Sequence, residues 1–171
     1  MTYLYKPNEH EATMMVALRM IQNVPPGNYA VQQQEGDPFR FYRLTFPEKD
    51  VWDSGIRANK KVTGTKIQRR SSDDLKDVLL DLPTNEYLNW TQPGLDNDLL
   101  AICVDWKAAA KAFAKELQRC GRCGKSLTDI RSRWYLLGPE CETYWEWWVP
   151  ERDEEEGMDF EEARAQGLVE G

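Results

Sequence analysis

Residues 120–141 read CGRCGKSLTDIRSRWYLLGPEC, and they carry three of the four cysteines of the 171-residue chain. Cys120 and Cys123 are separated by two residues, a spacing that lets both thiolates reach one ion. Gly124 follows directly and lets the backbone turn back beneath that ion. This arrangement is typical of a zinc knuckle, so the stretch predicts a metal site.

The second half of the stretch supplies a third ligand. Pro139 suits the first turn of a helix, which would place Cys141 near a helix N-terminus, where the helix dipole favours a thiolate. A turn with two ligands followed by a helix start with a third predicts a treble-clef-like Zn²⁺ site. A tetrahedral structural site requires a fourth ligand, and Cys103 is chemically the best candidate. The alternatives for the fourth position are His10, Asp129 and Glu142.

Two other interpretations of these cysteines stay open at this point. A Cys-x-x-Cys pair can be a redox site, but thioredoxin-like pairs open a helix after a strand, and here Gly124 and Lys125 follow instead. The thiols can also be unliganded side chains of the core or surface. A metal site is favoured because the glycine after Cys123 and the position of Cys141 both suit a knuckle.

The same stretch resembles a known family. From Cys120 to Cys141 the pattern Cys-x-x-Cys-Gly-x-x-Leu-Thr-Asp…Ser…Gly-Pro-x-Cys is similar to that of a zinc-finger-like domain family of unknown function, widespread in phages and actinobacteria. This chain departs from the family pattern at Lys125, Ile130 and Leu136 but keeps every cysteine. The resemblance implies a three-cysteine metal knuckle in a phage or mobile-element accessory protein, and it implies no catalytic activity.

The composition excludes several classes of protein. With 41% apolar and 30% charged residues the chain is typical of globular domains, and no run approaches the ~20 apolar residues of a membrane span. Its first residues lack the features of a signal peptide. Four cysteines are too few for a disulfide scaffold, which predicts a cytoplasmic location. A single histidine, His10, leaves little for Ser–His or Cys–His catalysis, so we expect a protein that is not an enzyme.

Local patterns predict an α+β fold, with a small antiparallel sheet and flanking helices beside the treble-clef-like knuckle. The expected elements are a helix capped at Asn8, about four strands within 28–70, a helix over 75–82, a loop over 83–98 and a helix from Asp105 to about Gln118. One hairpin is expected to pair 51–58 with 62–69 around a turn at Asn59, Lys60 and Lys61. The predicted domains are an α+β domain (1–100), a helix with the knuckle (101–150) and an acidic tail (151–171).

The net charge of −7 is unevenly distributed along the chain. Residues 1–70 carry +4, residues 71–100 carry −6, residues 101–139 carry +5 and residues 140–171 carry −10. Basic hairpin and knuckle surfaces therefore predict nucleic-acid binding as the first candidate function, despite the acidic total. The candidate contacts are Arg57, Lys60, Lys61, Lys66, Arg69, Arg70, Lys107, Lys111, Lys115, Arg119 and Arg122.

Tryptophans and acidic residues near the C-terminus support an alternative function. Trp145, Trp147 and Trp148 lie just before the acidic tail, and tryptophan is enriched at binding hot spots. They indicate an inhibitor or adaptor that binds a host protein, or self-association into a homo-oligomer. Neither alternative involves a membrane.

Overall fold

The computed structural model describes residues 9–71, 74–83, 94–128 and 130–145. Its helices and antiparallel strands confirm the α+β class. In chain order the elements are α1 (Glu9–Met20), a 3₁₀ turn (Ile21–Asn23), β1 (Gly27–Val31), β2 (Arg40–Thr45), β3 (Glu48–Asp53), β4 (Ala58–Thr63), β5 (Thr65–Arg70), β6 (Leu75–Leu82), α2 (Leu95–Val104), α3 (Trp106–Leu117), α4 (Ile130–Tyr135) and α5 (Pro139–Glu142).

A four-stranded antiparallel sheet lies at the centre of the fold, in the order β1-β2-β5-β6. Residues that face each other in an antiparallel pair project from the same side of a sheet. Tyr29 faces Tyr42, so both side chains lie on one side of the sheet. Asn28 faces Arg43, and these two side chains lie on the other side. All five residues of β1 are buried, so this strand is covered on both sides.

Helices α1 and α2 cover the side that carries Tyr29 and Tyr42. Gln22, just after α1, donates a 2.9 Å hydrogen bond to the hydroxyl of Thr65 on β5. Tyr42 on β2 donates to the carboxylate of Asp98 on α2. Met14, Ile21, Leu99 and Ile102 belong to the same buried apolar cluster as the two tyrosines.

Helix α3 covers the opposite side of the sheet. The ring of Phe41 meets the ring of Phe113 edge to face, with 6.2 Å between the centroids. Asp105 caps this helix by accepting a 3.2 Å hydrogen bond from the backbone N–H of Ala108, as the sequence predicts. The fold therefore has three layers: α1 with α2, the sheet, and α3 with the segment that follows it.

Residues 75–82 form strand β6, so the predicted helix is wrong. Ser71 and Asp74 make reciprocal hydrogen bonds, including Ser71 N–H to the Asp74 carbonyl at 2.8 Å, and so join β5 to β6 as a hairpin. Serine and aspartate serve equally well in such turns and at helix starts. Register shifts along β6 let the adjacent Leu79 and Leu80 both be buried, which hides the alternation expected of a strand.

Two other boundaries differ from the prediction. The hairpin β3–β4 turns at residues 54–57 and not at Asn59, Lys60 and Lys61, because Asp53 accepts a 2.8 Å hydrogen bond from the N–H of Gly55 and Arg57 takes a left-handed conformation. The predicted loop over 83–98 contains the start of α2, which follows Gly94. Strands β1, β2 and β5 of residues 28–70 join the central sheet, whereas β3 and β4 form a separate two-stranded sheet.

Several predictions lie outside the described residues, among them the cap at Asn8 and the acidic tail 151–171. The predicted boundary at residue 100 stays a prediction, and one apolar cluster includes buried residues from both sides of it. Within the described ranges, no helix has the length and apolar character needed to span a bilayer.

The ion pair between Arg40 and Asp98 ties β2 to α2. Asp98 is 4% exposed and Arg40 is 31% exposed, and Asp98 also accepts a hydrogen bond from Tyr42. We expect Asp98→Asn to lower the free energy of unfolding by about 2 kcal/mol, less than for a fully buried pair because water reaches Arg40. Urea denaturation is the measurement. Glu116→Gln also replaces a carboxylate by an amide, but on the exposed surface of α3, and it is the control. Equal effects of the two substitutions would contradict the prediction.

Candidate metal centre

The knuckle is a tight turn within residues 118–127. The N–H of Cys120 donates to the carbonyl of Lys125 at 2.9 Å, and the N–H of Gly124 donates to the carbonyl of Cys120 at 2.8 Å. Gly124 has φ +79°, a left-handed conformation that suits glycine. These bonds fold the Cys-x-x-Cys segment back on itself, so that Cys120 and Cys123 face the same space.

Helix α5 brings the third cysteine to the knuckle. It begins at Pro139 after the extended residue Gly138, as the sequence predicts, and Cys141 is its third residue. The three sulfurs of Cys120, Cys123 and Cys141 lie within 4.8 Å of one another. Sulfurs around a tetrahedral Zn²⁺ lie ~3.8 Å apart, since Zn–S bonds are about 2.3 Å long. The group is therefore compact enough to hold a metal ion after small shifts.

Two of the three thiols, those of Cys120 and Cys141, have shifted pKa values. Burial opposes ionisation of Cys120, but backbone N–H groups of Cys123, Gly138 and Arg122 point at its sulfur, and the net effect lowers the pKa of that thiol. Burial raises the pKa of Cys141 to about 12, and the neighbouring sulfurs add to the rise. Three thiolates this close repel one another unless a cation lies between them. The donor set thus fits a soft divalent metal ion, which would remove that repulsion.

Asn28 on β1 fastens the knuckle to the sheet. This side chain is fully buried, and its amide donates to the carbonyl of Arg122 at 3.1 Å. The backbone N–H of Asn28 donates to the carbonyl of Gly121 at 2.8 Å. One signal in the sequence points to this role: Asn28 is the one polar side chain of strand β1.

Arg70 on β5 makes the second connection. Its guanidinium donates to the carbonyl of Gly124 at 3.1 Å and to the side-chain oxygen of Asn28 at 3.4 Å, and it lies 5.5 Å from the ring centroid of Phe113. A Cβ at Gly124 would come within 2.9 Å of this guanidinium. Arg70 is 8% exposed, so it supports the knuckle from inside, in contrast to its predicted place on a basic surface.

Arginines surround the knuckle more densely than the sequence indicates. Burial lowers the pKa of Arg70, and the nearby charges of Arg119 and Arg43 lower it further, whereas Cys123 opposes this. Arg119 donates to the carbonyl of Gly124 at 3.0 Å. Four guanidinium groups, those of Arg43, Arg70, Arg119 and Arg122, thus lie at or near the knuckle.

The other predicted nucleic-acid contacts are distributed over three parts of the fold: α3, β5 and the hairpin β3–β4. Lys107, Lys111 and Lys115 lie on α3, and Lys66 and Arg69 lie on β5. The hairpin β3–β4 carries Arg57, Lys60 and Lys61. Lys60 forms a 3.0 Å ion pair with Asp53, and Lys61 faces Asp50 across the hairpin.

The structure does not bring the predicted fourth ligand, Cys103, into the group of three sulfurs. Cys103 lies on α2, where its thiol donates to the carbonyl of Ala17 at 3.5 Å and burial raises its pKa to about 11. The side chains of the alternatives His10, Asp129 and Glu142 lie outside the described part of the chain.

Trp145, a predicted protein-binding residue, is 5% exposed. Its indole packs on Gly27, where a Cβ would come within 3.0 Å of it. Trp147 and Trp148 lie outside the described residues. The described part of the tryptophan cluster is thus packed between β1 and the knuckle.

The comparisons with known proteins concern this same region. Residues 110–145 match a family of unknown function, DUF6011. The match runs from within α3 to Trp145 and includes all three clustered cysteines, in agreement with the resemblance to a family of unknown function. No curated protein and no solved structure matches the chain.

The clustered cysteines and Cys103 form a matched set for testing metal binding. We expect Cys141→Ser to lose the metal, because serine is a poor ligand for a soft divalent ion, whereas Cys103→Ser retains it. Elemental analysis after reconstitution with Zn²⁺ measures the stoichiometry. Metal loss from the Cys103 variant would place that residue in the site after all.

The hydrogen bonds from Asn28 predict a second effect. Asn28→Ala removes a buried support of the ligand loop, and such changes weaken metal affinity by about 10-fold or more. Competition with a chromophoric chelator measures the affinity. Gln68→Ala, on the same side of the sheet, is the control, and an equal effect of both variants would show that the support is not specific to Asn28.

Proposed function

We propose that Cys120, Cys123 and Cys141 bind a structural Zn²⁺ in a treble-clef-like knuckle. The support is the donor set, three sulfurs within 4.8 Å on a tight turn and a helix start. Thiolates are preferred ligands of Zn²⁺, and binding of a structural ion adds folding free energy. In this proposal the ion joins the knuckle to α5 and thereby shapes the surface around both.

That surface serves a non-enzymatic function, the binding of nucleic acid. The observation that carries the proposal is that Arg43, Arg119 and Arg122 lie close together at the knuckle, next to the buried Arg70. Arg43 and Arg122 line the same pocket, and no carboxylate lines that pocket among the described residues. Keeping like charges together costs folding free energy, and a polyanion such as nucleic acid offsets that cost when it binds.

The hairpin is the weaker part of the predicted nucleic-acid surface. Lys60 is paired with Asp53, and Asp50 lies opposite Lys61, so carboxylates accompany its cations. We therefore propose the knuckle as the main contact with nucleic acid. We also propose that the protein is an accessory protein of a phage or other mobile element and acts in the host cytoplasm. Binding of a host protein through the tryptophan-rich C-terminal region stays the alternative.

Nucleic-acid binding by the zinc-loaded full chain tests the proposal. We expect affinity for short oligonucleotides at low salt to fall linearly with salt on a log–log plot, with a slope of about −2 to −3 for three or four neutralised phosphates. Fluorescence anisotropy with single- and double-stranded DNA and RNA is the measurement.

Two controls accompany this experiment. Arg19→Ala removes an exposed arginine of α1, on the far side of the sheet, and we expect it to leave binding unchanged. Cys141→Ser should weaken binding because it disorganises the knuckle. Failure of the wild-type chain to bind any of the four nucleic acids at low salt would reject the proposal.

A further inference from the structure

A small basic pocket lies beside the metal centre, between the knuckle and the ends of β1 and β2. It has a volume of about 200 Å³ and is lined by Gly27, Arg43, Thr45, Arg122 and Cys123 together with two apolar neighbours. It is distinct from the cavity over the three sulfurs, which Glu140 lines. Among the described residues no carboxylate lines the basic pocket, so its polar side chains are two guanidinium groups, a hydroxyl and a thiol.

Both arginines of the pocket are held by rigid elements. Arg43 lies within β2, facing Asn28 on β1 and Gln68 on β5. Arg122 donates to the sulfur of Cys141 at 3.5 Å and lies 4.0 Å from the ring centroid of Tyr144. Because these contacts orient the Arg122 guanidinium in advance, less of its side-chain entropy is lost when an anion binds. Paired guanidinium groups are well suited to phosphate oxygens.

Tyr144 places an aromatic ring against Arg122, one of the two arginines that line this pocket. Its backbone N–H donates to the carbonyl of Cys141 at 3.1 Å, which fixes it to the end of α5. Arg122 covers one face of the ring, yet the residue remains 68% exposed, so the ring still offers a surface to a ligand. Exposed aromatic rings next to phosphate-binding cations are the usual platform on which unpaired bases stack.

We propose that Arg43, Thr45 and Arg122 bind one backbone phosphate of a single-stranded nucleic acid, and that Tyr144 stacks on an adjacent base. This inference rests on the proposed nucleic-acid function and adds the site and the form of the ligand. A single strand is required because the bases of a duplex are already stacked and paired. The knuckle contributes Arg122 and lies next to the pocket, so the bound metal ion preorganises the site.

Substitutions on the zinc-loaded full chain test this assignment, with dT₁₂ and U₁₂ as probes and a 12-base-pair DNA duplex for comparison. We expect the wild type to prefer the single strands. Arg43→Ala should lower their affinity about tenfold and make the salt slope shallower by about 0.7, the share of one phosphate contact. Tyr144→Ala should lower affinity about tenfold as well, through lost stacking.

Conservative variants separate recognition from folding. Tyr144→Phe keeps the ring and should retain affinity, and Arg43→Lys should retain part of it. Arg19→Ala is the matched control for charge. Zinc content and circular dichroism establish that each variant is folded, and Thr45→Val offers a second probe of the pocket should Arg43→Ala fail to fold.

The results distinguish this inference from the proposed function. A wild-type chain that binds no oligonucleotide overturns the proposed function and this site with it. A wild-type chain that binds nucleic acid, with Arg43→Ala and Tyr144→Ala both within twofold of it or with equal affinity for the duplex, overturns only the single-strand site.

Discussion

Three cysteine sulfurs within 4.8 Å of one another set the arrangement of one whole side of this protein. Two of them sit on a tight turn after α3 and the third on α5, so a shared cation would connect elements that are about twenty residues apart in the chain. Burial raises the pKa of Cys141, and a cation between the three sulfurs would offset the repulsion between their thiolates. Arg122, Tyr144 and Trp145 lie on or beside these elements, so a shared cation would hold them in place as well.

The attachment of the knuckle to the sheet is polar and buried. Arg70 and Asn28 donate to carbonyl groups of the ligand loop, and burial lowers the pKa of Arg70. Burying a cation in this way costs free energy. The hydrogen bonds and the contact with Phe113 offset part of that cost, and they specify one orientation of the knuckle. Stability and the geometry of the basic pocket therefore depend on the same contacts.

The sequence was sufficient to predict the turn that carries Cys120 and Cys123, the capped helix α3, and strands β1 and β2. Each of these depends on interactions within a few residues of the chain. The errors have equally local causes. The residue types at 71–74 suit a helix cap and a hairpin turn equally well. Pairing of β5 with β6 determines that they form a hairpin turn here. In the sequence Arg70 resembles the other basic residues of the predicted surface. Its burial depends on the elements that pack around it in the folded chain.

The order of amino acids was enough to establish a mixed α and β chain with three cysteines suited to one metal, since ligand chemistry and local propensity act over short distances. Folding in three dimensions decided that Cys103 is directed to α1 and that Arg43 and Arg122 line one pocket. These two arginines are 79 residues apart in the chain. The register of β1 and β2 places Asn28 opposite Arg43, and the hydrogen bond from Asn28 to Gly121 brings Arg122 to the same place. Long-range pairing of this kind leaves no periodic signal in the chain, because it depends on which strand lies beside which.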